Sequence, residues 1–135
     1  MLEGFEKIAI FSGRSYLSVT NNGITFNKNA IQQLGTPKRI VFLLNPTQKK
    51  LAVQVCDDIS DDDSIVFCQE GKTYENGLRI NNRGLQLKLA NMMGWDLEEK
   101  NYRIDGTYFD EDSAMIFDMN LARAFNKRNK KKASE

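Results

Sequence analysis

The sequence predicts a β-rich α+β protein in which two pseudo-repeated β-β-α-β-β units interlock in one barrel-like core. The first observation is the order of elements: an apolar strand after a glycine turn, a short helix and a closing hairpin occur twice along the chain. The second is that residues 77–85 overlay residues 23–31 without a gap, so that the turn glycine, two apolar strand positions, an asparagine and the first buried helix position coincide. Each unit is too small to bury its own sheet face, and we therefore expect the two to share a core.

Length and composition fit a single globular domain. The chain has 135 residues, of which 41% are hydrophobic and 27% charged. No apolar run approaches the ~20 residues of a membrane helix, and the N-terminus lacks the basic start and apolar block of a signal peptide, so we expect a cytoplasmic protein without a membrane partner. We predict one domain over residues 1–125, with repeats at about 8–56 and 64–119, an acidic connector at 57–63, and a disordered basic tail at 126–135.

The first unit contains short apolar or alternating runs that are typical of strands. These predicted strands lie at residues 7–11, 15–20, 24–26, 39–44 and 50–56. Asn21-Asn22-Gly23 is a turn signal between two of them. Asn27 is expected to cap a short helix over residues 28–34, and Gly35 to end it in a left-handed conformation.

The second unit repeats this order after a buried-looking strand at residues 64–68. The overlay places Asn81 where Asn27 stands, so Asn81 is expected to cap a longer helix that runs to Met93 and ends at Gly94. Residues 102–108 and 113–118 flank an acidic turn and match the closing hairpin of the first unit.

Charge is sorted along the chain although the net charge is only +1. Residues 1–56 carry a net +5, residues 57–125 a net −8, and residues 126–135 a net +4. A basic segment without apolar residues is typically a handle for nucleic acid or another polyanion. The acidic half points instead to a basic partner, so the charges alone leave both classes of partner open.

The stretch Tyr16–Gly35, with its strand, Asn-Asn-Gly turn, apolar strand and short helix ending in Leu-Gly, resembles the swapped-hairpin motif of the AbrB, MazE and MraZ group of bacterial DNA-binding proteins. The resemblance extends in letters over residues 16–56, and in the order of elements over residues 74–119. It implies sequence-specific DNA binding through basic residues on one barrel face. It also implies a homodimer or larger assembly that regulates transcription.

Basic side chains at the matching positions are the candidate DNA contacts. The resemblance points to Arg14 and Lys28 in the first unit, and to Arg79 and Arg83 as their counterparts in the second. The set is completed by basic residues after the first helix and in the tail, namely Lys38, Arg39, Lys127, Arg128, Lys130, Lys131 and Lys132. Arginine offers a planar fork for guanine edges or phosphate, and lysine a mobile charge for phosphate.

Catalytic and metal chemistry is not expected. The chain contains no histidine, the usual general base near neutral pH and a common metal ligand. Cys56 and Cys68 form no C-x-x-C pair, and no phosphate-binding loop is present. We therefore predict a protein without enzymatic activity, cofactor or metal.

The alternative function is a protein-binding inhibitor whose carboxylates mimic the phosphates of nucleic acid. Its candidate residues are the five acids of the connector, Asp57, Asp58, Asp61, Asp62 and Asp63. Small inhibitors carried by phages and mobile elements, including inhibitors of CRISPR effectors, resemble this chain in size and acidic clustering. Its partner would be a basic protein, because acidic patches speed association with basic channels.

Overall fold

The computed structural model describes residues 1–5 and 13–126. Within those ranges the strands are β1 (Tyr16–Thr20), β2 (Gly23–Phe26), β3 (Arg39–Asn45), β4 (Lys50–Val55), β5 (Ile65–Val66), β6 (Leu78–Ile80), β7 (Lys100–Phe109), β8 (Ala114–Asp118) and β9 (Arg123–Asn126). The helices are α1 (Lys28–Gln33) and α2 (Arg83–Met93), and a 3-10 turn spans Met119–Leu121. The strand predicted at residues 7–11 and the tail residues 127–135 lie outside the described residues.

The predicted β-rich α+β class is confirmed: one curled antiparallel sheet forms a half-barrel. The strand order is β5-β3-β4-β8-β7-β1-β2-β6, with β9 paired to β7. Strands from before and after the acidic connector therefore alternate in the sheet, and the hairpins β1–β2 and β3–β4 have β8 and β7 between them. No helix in the described ranges is long and apolar enough to cross a membrane.

The core lies inside the curled sheet and draws on both halves of the sequence. Phe26 is fully buried, and its ring meets Phe67 edge-on at 5.0 Å and Phe117 at 6.1 Å. Such edge-to-face pairs stabilise beyond their buried area. Cys68 is a free thiol in this core, and burial raises its pKa.

Strand β7 organises one side of the sheet because it is long enough to pair with three other strands. Its residues 102–105 pair with β1 on one edge, while 106–109 pair with β8 and 100–103 with β9 on the other. The sequence analysis did not predict β9, whose four residues lack a strand-like alternation. Asn126, assigned to the tail from sequence, is the last residue of this strand.

Asparagine side chains begin both helices, as the sequence predicts, but one was assigned to the wrong position. Asn27 Oδ1 accepts hydrogen bonds from the backbone N–H groups of Ala30 and Tyr16, both at 3.0 Å. In the second half the cap is Asn82, whose Oδ1 accepts from Leu85 N at 3.0 Å, and not Asn81. The linker between β6 and α2 is one residue longer than the gap-free overlay assumes. Gly94 ends α2 in a left-handed conformation, with φ of 70°.

Candidate nucleic-acid interface

Five side chains from five adjacent strands form one row across the sheet. The register sets Arg123 of β9 opposite Arg103 of β7, Arg103 opposite Ser18 of β1, Ser18 opposite Thr25 of β2, and Thr25 opposite Arg79 of β6. Residues directly opposite each other in a sheet lie on the same face. We call this set, Arg123, Arg103, Ser18, Thr25 and Arg79, the arginine row.

The arginine row lies on the outer face of the half-barrel. Ser18 is flanked in β1 by Leu17 and Val19, both fully buried. Because successive side chains of a strand point to opposite faces, the inward position of these neighbours places Ser18 outside. The same alternation applies to Thr25, and Arg79 and Arg123 at the two ends of the row are exposed.

Two aromatic rings hold Arg103, the second member of the arginine row, in place. The carbon of its guanidinium lies 4.2 Å from the centroid of the Tyr16 ring and 5.2 Å from that of Phe125. Within the described residues the Arg103 side chain makes no hydrogen bond or ion pair, and its buried Nε lacks an acceptor. Cation–π contact thus orients this guanidinium, while the described residues leave its donors unused.

Asp105 partly neutralises the neighbouring cations. Its two carboxylate oxygens lie 3.2 Å from Nη1 of Arg14 and 3.1 Å from Nη2 of Arg123. All three side chains are substantially exposed, so each contact contributes little to stability. The single negative charge of Asp105 does not balance the three positive charges of Arg14, Arg103 and Arg123, so this part of the surface is positive.

The other predicted DNA contacts occupy separate places, and most of them have protein partners. Lys28 Nζ lies 2.7 Å from a carboxylate oxygen of Glu75. Arg83 donates to the side-chain oxygen of Asn21 at 3.0 Å.

Arg39 and Lys38 lie together at the start of β3. Half-buried Arg39 donates to the hydroxyl and carbonyl oxygens of Ser64, at 2.9 and 3.0 Å. Lys38 is exposed, and both residues border a surface hollow with Asp57 of the connector.

The predicted tail contacts, Lys127, Arg128, Lys130, Lys131 and Lys132, lie outside the described residues. Their point of origin is nevertheless described, because Asn126 pairs with Lys100 at the end of β9. In the sequence the basic run begins four residues after Arg123, which ends the arginine row.

Acidic side chains gather at the opposite end of β7. Gln54 Nε2 donates to the carbonyl of Asp112 at 3.0 Å, and Val55 N to that of Ser113 at 2.9 Å. These bonds hold the β7–β8 turn, with its three acids at 110–112, against the point where the acidic connector leaves β4. From Arg103 to Asp110 along β7 the distance is about 23 Å, at ~3.3 Å per residue.

Two of the five predicted protein-binding acids, Asp58 and Asp61, accept hydrogen bonds from neighbouring residues of the connector. The side chain of Asp58 accepts from the Ser60 hydroxyl at 2.6 Å and from the Ser60 backbone N–H at 2.9 Å, and these bonds lower its pKa. Asp61 accepts from the backbone N–H of Asp63 at 2.9 Å. Asp57, Asp62 and Asp63 are exposed.

In the described part of the chain, no group of three or more histidine, cysteine, aspartate or glutamate side chains is arranged to hold a metal ion.

Sequence reasoning identified Arg79 and Arg14 but missed Arg103 and Arg123. Arg103 occupies an alternating strand position, and Arg123 stands between two alanines in a segment without alternation. Neither pattern carries information about which strands are adjacent. A second signal was present in the sequence, since Phe125 follows Arg123 by two residues and the basic tail follows directly.

Comparison of the chain with models of known protein families, with curated proteins and with solved structures finds no match.

Proposed function

We propose that this chain is a DNA-binding protein, a transcriptional regulator of the kind that its resemblance to the AbrB and MraZ group implies, and that it docks on duplex DNA through the arginine row. The observation that carries the proposal is the convergence of Arg123, Arg103 and Arg79 on one outer row, together with Ser18 and Thr25. Arginine and small hydroxyl side chains are common donors to DNA phosphates.

The dimensions of the row suit a duplex. Four strand spacings of ~4.8 Å separate β9 from β6, so the row is about 19 Å long when followed along the sheet. The major groove of B-DNA is about 12 Å wide. Arg123 and Arg79 at the two ends therefore reach phosphates on both sides of a groove, while Arg103 between them is held in place by two rings.

A pseudo-twofold relation between the two halves is part of the proposal, and one sheet register and one pair of matching turns support it. In the overlay of β2 on β6, Thr25 and Arg79 are equivalent, and these two residues stand directly opposite each other. The hairpins β3–β4 and β7–β8 have turns of equal length, each with a left-handed residue at its end, Lys49 and Ser113. A twofold axis between the halves would produce both arrangements.

The same relation makes Arg39 the counterpart of Arg103. Arg39 stands opposite Val66 of β5 as Arg103 stands opposite Ser18 of β1. Arg39 and Arg103 each lie four residues before the equivalent positions Leu43 and Thr107. A protein with paired arginines about an axis fits a DNA site with approximate twofold symmetry. The operator that we propose is accordingly an imperfect palindrome.

The proposal is tested by anisotropy titration of random duplex DNA at about 50 and about 200 mM salt. The protein is compared with the double variant Arg79→Ala/Arg123→Ala, with the single variant Lys88→Ala, and with a chain that ends at Asn126. Each lost phosphate contact lowers the slope of log affinity against log salt by about 1, so we expect the double variant to lower it by about 2. Lys88 is exposed on α2 outside the row, and its variant should bind as the parent does.

Two results would contradict the proposal. Binding that disappears when the chain ends at Asn126, and that the double variant does not change, would assign DNA affinity to the tail alone. Absence of binding at about 50 mM salt would leave the arginine row without a nucleic-acid role.

The alternative proposal, an inhibitor that binds a basic protein, is favoured by the acidic end. The connector and the β7–β8 turn are far apart in sequence, yet hydrogen bonds from Gln54 and Val55 hold the turn against the end of β4, where the connector begins. Replacing Asp61, Asp62 and Asp63 by asparagine distinguishes the two functions. It should leave DNA affinity intact or higher under the first proposal, and abolish capture of a basic partner under the second.

A further inference from the structure

The half-barrel has an open seam where its two edge strands face each other. Strands β5 and β6 are the two ends of the sheet, and they have no strand partner on their outer edges among the described residues. Both edges line one surface groove of about 360 Å³, which is bordered by Val66, Phe67, Gln69, Lys72, Tyr74 and residues 77–80. We define this groove as the seam.

In the first half of the chain, the two strands that correspond to β5 and β6 are joined by hydrogen bonds. The equivalent of the seam under the pseudo-twofold relation is the β1–β2 hairpin, where four residue pairs join the strands across a two-residue turn. Between β5 and β6 the connection is eleven residues long, and Gln69 N donates to the Tyr74 hydroxyl at 2.8 Å to fold that loop on itself. The longer connection allows the two edges to stand apart.

Unpaired strand edges bind extended chains by strand addition, in which backbone hydrogen bonds supply affinity and alternate side chains supply specificity. The charges around the seam select the kind of chain. The side chains of Lys72 and Arg79 are exposed there and make no hydrogen bond or ion pair with any described residue, and the described part of the groove wall contains no acidic side chain. Buried Phe67 and Leu78 form its apolar floor.

We propose that the seam is a strand-addition site for an extended acidic segment of a partner protein. Alternate side chains of the bound strand would face inward onto Phe67 and Leu78, and the carboxylates between them would face outward to Arg79 and Lys72. Arg79 also ends the arginine row, so the bound strand competes with DNA for this residue. The site extends beyond the proposed DNA-binding function and does not depend on it, because Lys72 lies outside the row.

The experiment uses the full chain and a fluorescein-labelled peptide of about six residues that alternates valine and glutamate, the length of an ordinary strand. Anisotropy measures affinity, and amide hydrogen exchange locates the peptide. We expect saturable binding that protects amides at residues 65–66 and 78–80. We expect Lys72→Glu to weaken binding about fivefold, as for loss of an exposed ion pair, and Lys88→Glu to leave it unchanged.

Three results would overturn the proposal: no saturable binding, protection elsewhere than the two edges, or equal affinity for the Lys72→Glu variant. Displacement of the peptide by single-stranded DNA, with the same amides protected by the DNA, would reassign the seam to nucleic acid. Concentration-dependent dimerisation without peptide, with protection at these edges, would reassign it to self-association. The DNA titration of the Arg79→Ala/Arg123→Ala variant is a separate readout, so either proposal can fail alone.

Discussion

At the scale of single residues, Gly106 shows how closely the sheet packs on its core. It lies in β7 opposite Phe117 of β8, and a Cβ atom there would stand 2.6 Å from the Phe117 ring and 2.7 Å from the sulfur of Met115. Both neighbours are fully buried and cannot move aside freely. We expect Gly106→Ala to lower the free energy of unfolding by about 1–3 kcal/mol through overpacking, as measured by urea denaturation.

Gly84→Ala is the matched control for this substitution. Gly84 lies in the first turn of α2, where a Cβ atom would meet only Asn82 Oδ1, at an ordinary 3.6 Å. Alanine is the better helix former by about 1 kcal/mol, so this variant should be as stable as the parent or more stable. Equal destabilisation by both alanines would contradict overpacking as the cause, because the smaller backbone entropy of alanine in the unfolded chain favours the folded state at both positions.

At the scale of elements, the start of α2 depends on one of two adjacent asparagines. Asn82 accepts from the backbone N–H of Leu85, whereas Asn81 is exposed and precedes the cap. Replacing a capping asparagine by alanine costs about 1 kcal/mol. We therefore expect Asn82→Ala to lower the free energy of unfolding by that amount and Asn81→Ala to change it little. The reverse ranking in thermal or urea unfolding would contradict the cap.

At the scale of the whole molecule, the alternation of strands makes each half dependent on the other. The hairpins β1–β2 and β3–β4 have no strand pairing between them, and β7 and β8 occupy the space that separates them. We predict that fragments 1–60 and 61–135 are each unfolded alone and recover a cooperative fold when mixed. Circular dichroism and the fluorescence of Trp95, which stacks on Tyr102 at 4.2 Å, would report the recovery.

The matched control for this mixture is the first fragment carrying Phe26→Ala. Phe26 contacts Phe67 and Phe117, both of which belong to the second fragment. Truncation of a buried phenylalanine costs about 3–5 kcal/mol, so the variant should complement weakly or not at all. A first fragment that unfolds cooperatively by itself would contradict the shared core.

Local chemistry in the sequence determined most of the elements of this protein. Alternating apolar runs predicted the two closing hairpins, Asn27 and Gly94 predicted helix ends, and the Asn21-Asn22-Gly23 turn predicted the first hairpin, because each of these signals acts within a few neighbouring residues. The predicted cap of α2, Asn81, was wrong by one residue, because the overlay of the two units carried no information about the length of the linker before the helix.

The tertiary structure alone decided which strands are neighbours, and with them the candidate site. Arg103, Arg123 and Arg79 come from three separate strands, and only the sheet register brings them into one row with Ser18 and Thr25. The same register sets Asp105 between Arg14 and Arg123, and the sheet order leaves β5 and β6 as facing edges. Strand pairing joins residues that are distant in sequence, so periodicity along the chain, which is a local property, could not predict it.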